Sequence, residues 1–129
     1  RYPTGVDVGR LLFQYTPAYR DAVVLVEGAL DAIALWNVGV EAFAIYGSRL
    51  SEYQVHLIDK IDPTYVYTCY DLDKAGWTAH CETERAFKHR MVTRISWPKG
   101  WGGDIAELSE DRRRHVVDDL VSTGLACVE

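Results

Sequence analysis

Apolar positions along the chain alternate between two periods. Four short runs, 22–26, 41–45, 65–70 and 91–96, are rich in apolar and β-branched residues and read as strands. The first, AVVLV, is apolar at every position, as a strand buried on both faces of a parallel sheet is. The intervening stretches have helical spacing. Segment 29–37 brings Leu30, Ile33, Ala34 and Trp36 onto adjoining parts of one apolar surface, and Gly39 offers a stop. Segment 51–60 opens with Ser51 and Gln54 at capping-box spacing and presents Val55, Leu57 and Ile58 for burial. Segment 73–90 is the longest. It offers Ala75, Ala79, Cys81, Ala86 and Phe87 as inward positions, with Lys88, His89 and Arg90 suited to the negative end of a helix dipole. A last helix is predicted over 109–121, with Glu110 and Asp111 at its start. The opening residues, with Leu11, Leu12, Phe13 and Tyr15, have no clear period and read as a helix or as a connection.

Strands alternating with helices about every twenty residues mark βαβ units, whose right-handed crossovers build a sheet covered on both sides. The predicted class is α/β, with a mainly parallel four-stranded sheet flanked by helices. Ligands of such sheets bind outside the carboxyl ends of the strands, where Glu27 and Asp71 fall.

Bulk properties narrow the function classes. The 129 residues suit one domain, and 48% hydrophobic content with 26% charged residues suits a globular one. No apolar run approaches the length of a membrane span. The start, RYPTGVDVGR, has no secretory signature and no initiator Met, so an excised or processed chain is expected. Cys69, Cys81 and Cys127 lie far apart without metal spacing. They predict neither zinc nor a disulfide framework, and a reducing, cytoplasmic setting. A net charge of -5 disfavours a stand-alone nucleic-acid binder, since affinity for phosphates comes mainly from Lys and Arg.

The chemistry lies in three acidic loops. VVLVEGALDA places Glu27 directly after the buried strand, with Gly28 leaving room for a close turn. YDLDKAGWTA places Asp71 and Asp73 between strand and helix, where a turn and a helix cap would explain them equally well if they stood alone. GWGGDIAEL adds Asp104 and Glu107. Acids at three strand ends suggest a hard cation, since Mg²⁺ prefers oxygen ligands and is usually held by one or two carboxylates plus substrate phosphate. No nucleophile elbow, P-loop or dinucleotide fingerprint is present.

Together VEGALDAIALWNVGVEAFAIYGS, YDLDKAGWTA and KGWGGDIAEL resemble the Toprim domain of bacterial-type and phage (DnaG-like) DNA primases, over about residues 22–120. The resemblance implies a Toprim (Rossmann-like) fold over 22–129, with 1–21 as a connecting segment from an upstream domain. It implies a metal-dependent nucleotidyltransferase that makes RNA primers on single-stranded DNA from ribonucleoside triphosphates, with Mg²⁺ or Mn²⁺, two ions, and a replicative helicase as partner. Glu27 would be the catalytic acid/base, and Asp71, Asp73 and Asp104 the metal ligands. Gly28 and Asp31 match the family's E-G-x-x-D, and Gly47 with Ser48 its small-residue turn. The third motif departs from the family's D-P-D, keeping Asp104 and offering Glu107 as a stand-in. Other users of this domain are nucleases and topoisomerases, and a silent docking module is a further alternative.

Several residues are read two ways. Asp31 is a solvated helix residue or the partner of a basic side chain, and Lys74 approaches a phosphate or is an exposed first-turn lysine. Arg112, Arg113 and Arg114 point in different directions on a helix and read as a solvated face. His56, His80, His89 and His115 receive no role. Trp97 and Trp101 read as packing that fixes the Asp104 loop, with base stacking as the other option.

Overall fold

A computed structural model describes residues 12–122. Four parallel strands form one sheet in the order β2-β1-β3-β4: β1 (Ala22–Val26), β2 (Phe43–Ala44), β3 (Tyr65–Thr68) and β4 (Met91–Arg94). The predicted runs are all present, but β2, β3 and β4 stop earlier than the apolar pattern, because the chain leaves the ladder before it leaves the core. Ile45, Tyr70 and Ile95 remain buried beyond the last paired residues. β1 is the central buried strand that AVVLV predicts, with Val23 to Val26 all sealed.

Helices cover both faces. α1 (Ala29–Trp36) and α4 (Glu110–Ser122) lie on one side, where Ala32, Leu35, Val117 and Leu120 meet Val24 and Val26. α2 (Glu52–Ile61) and α3 (Lys74–Ala86) lie on the other, where Ile58, Ile61, Ala79 and Phe87 meet Val23, Leu25 and Val66. The Ser51–Gln54 capping box forms in full. Gln54 also donates from the core to Ile45 O at 2.8 Å, so one side chain caps α2 and fastens it to the end of β2.

Two expectations about packing need correction. On α1, Ala34 is buried, but Leu30 is 74% exposed and Ile33 and Trp36 also face outward; the inward residues are Asp31, Ala32, Ala34 and Leu35. The helix is rotated so that small Ala32 sits close to the sheet and Asp31 reaches the site described below. On α3, Ala79 and Phe87 are inward, whereas Ala75 and Ala86 are exposed and Cys81 is half-buried. Their places are taken by Gly76, His80 and Thr83, whose polar groups are satisfied: His80 Nδ1 bonds Thr68 Oγ1 at 2.7 Å and Thr83 Oγ1 bonds the Tyr70 hydroxyl at 2.9 Å. Among the described opening residues, 12–15 are not helical. Phe13 pairs antiparallel with Ala44 and Leu12 is buried in the α2/α3 side of the core; Leu11 lies outside the described residues.

Candidate metal centre

β1 leads through α1 to β2 on one side of the sheet, and the chain then crosses to β3 on the other. The carboxyl ends of β1 and β3 therefore flank the topological switch point. Glu27 follows β1 directly, and two residues separate the end of β3 from Asp71. The two ends are bonded to each other: Cys69 N–H donates to Leu25 O at 2.8 Å, and Asp71 N–H donates to Glu27 Oε1 at 3.0 Å. The acid after β1 thus holds the backbone of the acid after β3.

Two further carboxylates close on Asp71. One ligand oxygen each from Asp31, Asp71 and Asp104 lies within 4.8 Å of the others. Asp31 arrives from the first turn of α1 and Asp104 from the loop after β4, as the cap of a 3-10 turn over Ile105–Glu107. That loop is tied in place: Leu72 N–H donates to Gly103 O at 2.8 Å, and buried Trp97 donates from Nε1 to Gly102 O at 2.8 Å. The packing role expected of Trp97 is what the structure has. Trp101 packs edge-on to His115 at 5.7 Å and under the Arg112 guanidinium at 5.0 Å.

Electrostatics show the strain of this convergence. Burial, then the charges of Glu27, Asp31, Asp104 and Asp73, push Asp71 up to about 7. Burial and Asp104 push Asp31 up to about 6, against amides of Gly28 and Ala106 that favour its charged form. Glu27 is also raised, first by burial and then by Asp73 and Asp104, while the Asp71 amide and Arg94 draw it down. The ion pairs among the described residues engage other acids, such as Glu41, Asp59, Asp62 and Glu82. A set of hard oxygen donors that repel one another, that form no ion pair with Lys or Arg among the described residues and of which only Glu27 is eased by Arg94, fits a divalent cation, which would relieve the repulsion.

The predicted site residues fare differently. Glu27, Asp71 and Asp104 come together as expected. Asp73 is exposed and caps α3, its Oδ1 accepting from Gly76 N–H at 2.7 Å, although its charge still acts on Glu27 and Asp71. Asp31 is neither solvated nor paired with a base: it is buried among carboxylates, in the cluster itself. Glu107 is exposed and turns back to accept from Gly103 N–H at 3.2 Å, bracing its own loop. Lys74 is exposed. Gly28 caps α1 in extended backbone, and a Cβ there would meet nothing closer than Asp31 Oδ2 at 3.7 Å, so space does not demand glycine.

Gly76 and Arg94 escaped the sequence reading. A Cβ on Gly76 would fall 1.8 Å from Asp71 O, so the start of α3 rests directly on the backbone of that acid. Arg94, the last residue of β4, donates from Nη2 to the same carbonyl at 3.0 Å and covers the Trp77 ring at 5.3 Å. The A-G after D-x-D was a visible signal for Gly76; nothing in the sequence marked Arg94.

The Toprim-like family model matches residues 24–108. No curated protein matches the chain in sequence. Among solved structures, the Aquifex aeolicus primase (zinc-binding and RNA polymerase domains) aligns with a TM-score of 0.70 at 23% identity, over 95% of this chain and 32% of that one. The DnaG primase catalytic domain bound to ssDNA aligns at 0.69 and 25% identity, over 92% and 40%. The primase fragment of the bacteriophage T7 primase-helicase protein aligns at 0.68 and 16%, over 88% and 49%. The chain thus spans less than half the length of each of these structures. With the family model covering the core from β1 to the Asp104 loop, and a four-stranded parallel sheet shared with DnaG-type primase catalytic domains, the chain belongs to the Toprim-like family.

Proposed function

We propose that this chain is the metal-binding catalytic domain of a DNA primase, a nucleotidyltransferase that joins ribonucleotides into a short RNA primer on single-stranded DNA. The observation that carries the reading is the meeting of Asp31, Asp71 and Asp104 at the switch point, with Glu27 bonded to the Asp71 amide. Similarity to primase catalytic domains supports primer synthesis over other Toprim chemistry. Asp31, Asp71 and Asp104 would hold Mg²⁺ or Mn²⁺, with Asp73 adding charge at the rim. Two bound ions would activate a 3′-hydroxyl and neutralise the departing pyrophosphate.

Glu27 is the acid/base in this reading. It is half-buried, its affinity for a proton is raised, and the Asp71 amide fixes one of its oxygens. Asp73 and Glu107 act on backbone: the first starts α3 squarely behind Asp71, and the second keeps the Asp104 loop folded. With a net charge of -5, the chain itself offers little to a phosphate backbone. Template DNA would therefore be held largely by other segments, and a replicative helicase is the expected partner, as joined in the T7 primase-helicase.

The test uses the full-length protein carrying this chain. One reaction contains single-stranded DNA, ribonucleotides and Mg²⁺; the other contains DNA and Mg²⁺ without nucleotides. Wild type should make short RNA in the first and leave DNA intact in the second, and Glu27→Gln should fold normally yet make no RNA. DNA cleavage in the second reaction, abolished by Glu27→Gln and without RNA in the first, would replace primase by nuclease.

A further inference from the structure

Trp77 stands where a large apolar side chain is not expected. It lies one turn beyond the second acid of D-x-D, its N–H donating to Asp73 O at 3.0 Å, and it is 52% exposed. A merely structural Trp would turn inward, but the inward positions of α3 are Gly76, Ala79, His80 and Thr83. Two neighbours hold the indole, and about half of the residue stays exposed beside them. The His80 ring lies 5.5 Å away and nearly parallel, at 30°, and is itself pinned by Thr68 at 2.7 Å. The Arg94 guanidinium lies 5.3 Å from the ring centroid, and its Nη2 donates to Asp71 O at 3.0 Å. One planar cation therefore spans from the exposed indole to the backbone of the carboxylate cluster.

We infer that Trp77, oriented by His80 and Arg94, is a stacking platform for a nucleobase whose phosphates face the carboxylate cluster. The inference takes its ligand class from the proposed nucleotidyltransferase reading. Stacking suits this chain, because aromatic contact with a base does not depend on the net charge, which here is -5, and tolerates any base sequence. A ring already held by two fixed neighbours also loses little freedom when a base settles on it. The base belongs either to a free nucleoside triphosphate or to a single strand.

Binding of paired probes separates these cases and tests the platform. With Mg²⁺ at low salt, a ribonucleoside triphosphate is compared with inorganic triphosphate, and an oligothymidylate with an abasic oligonucleotide of equal length. Wild type should bind at least one base-bearing probe more tightly than its base-free counterpart. Trp77→Ala should weaken that probe about tenfold and leave the base-free one unchanged, while Trp77→Phe keeps most of the difference. Loss for the triphosphate alone assigns a free nucleotide, and loss for the oligonucleotide alone assigns a strand. The platform is overturned if wild type does not prefer a base, if Trp77→Ala changes nothing, or if it weakens base-free probes equally. The Mg²⁺-induced rise in melting temperature is read separately: its absence in wild type defeats the metal-centre reading, whereas an intact rise in Trp77→Ala confines any loss to the platform.

Discussion

Gly76→Ala should damage both the fold and the metal centre, although glycine to alanine inside a helix ordinarily stabilises by up to about 1 kcal/mol. The sign reverses because of one distance. The added methyl would lie 1.8 Å from Asp71 O and 2.8 Å from its carbonyl carbon. An ordinary carbon to oxygen approach is about 3.3 Å, so helix and loop must part by roughly 1.5 Å. The obstacle is backbone, which cannot swing aside as a long side chain would. Forced shifts of this kind cost about 1–3 kcal/mol, which exceeds the propensity gain. The parting also stretches the Asp71 bonds to Glu27 and Arg94, each 3.0 Å now, and moves a carboxylate of the proposed metal site. Urea unfolding with and without Mg²⁺ measures both effects. Gly47→Ala is the control, because a Cβ there meets nothing within 4 Å. The reasoning fails if Gly76→Ala unfolds at the same or higher urea concentration than wild type and keeps the full Mg²⁺ stabilisation.

Two further outcomes are expected. In metal-free chain, Asp71 and Asp31 are raised from an ordinary 3.8 to about 7 and about 6, so the folded state keeps protons that the unfolded state releases. Their contribution is fully present below about pH 4 and is lost as pH rises to about 7, so melting temperature should fall through that window and Mg²⁺ should restore more at pH 8 than at pH 5. A metal-free melting temperature that climbs steadily to pH 8 would contradict this. On α1, Leu30→Glu should stay within about 0.5 kcal/mol of wild type, whereas Leu35→Ala should lose about 2–5 kcal/mol in denaturant unfolding; a larger loss at Leu30 would reverse the assigned helix face.

The reading of the sequence reached the sheet and the order of its elements because β1 is apolar throughout and Ser51–Gln54 marks a helix start; both are local signals. It brought Glu27, Asp71 and Asp104 forward because each lies in a recognisable motif, the first two just beyond strand ends and Asp104 in the loop after β4. It missed the rotation of α1 for a physical reason. Leu30, Ile33 and Trp36 outweigh Ala32 and Leu35 in apolar area, and only tertiary contact shows that the sheet accepts a small residue there while the loop after β4 approaches Asp31. Burial of a carboxylate cannot be inferred from periodicity, because periodicity assigns charge to the solvent side. The polar inward face of α3 was illegible for the same reason: His80 and Thr83 are core residues only because Thr68 and Tyr70 stand opposite with matching groups.

A cluster of acids that repel one another needs a framework that opposes the repulsion. Here the opposition is backbone. Cys69 N–H is bonded to β1, Asp71 N–H to Glu27, Asp71 O to Arg94 and Leu72 N–H to Gly103, so successive groups of the chain after β3 are fastened to different elements. Beneath them, Gly76 lets α3 press on the same stretch, and Asp73 spends a carboxylate oxygen on capping that helix. Each contact fixes a peptide group, which unlike a long side chain has few alternative positions. The pair of aspartates in D-x-D thus divides its labour in the folded chain: Asp71 faces the other carboxylates, and Asp73 holds the helix that keeps Asp71 there. In the proposed reading, a ligand set positioned this way would need little reorganisation when a cation binds, the condition for electrostatic catalysis at a phosphate.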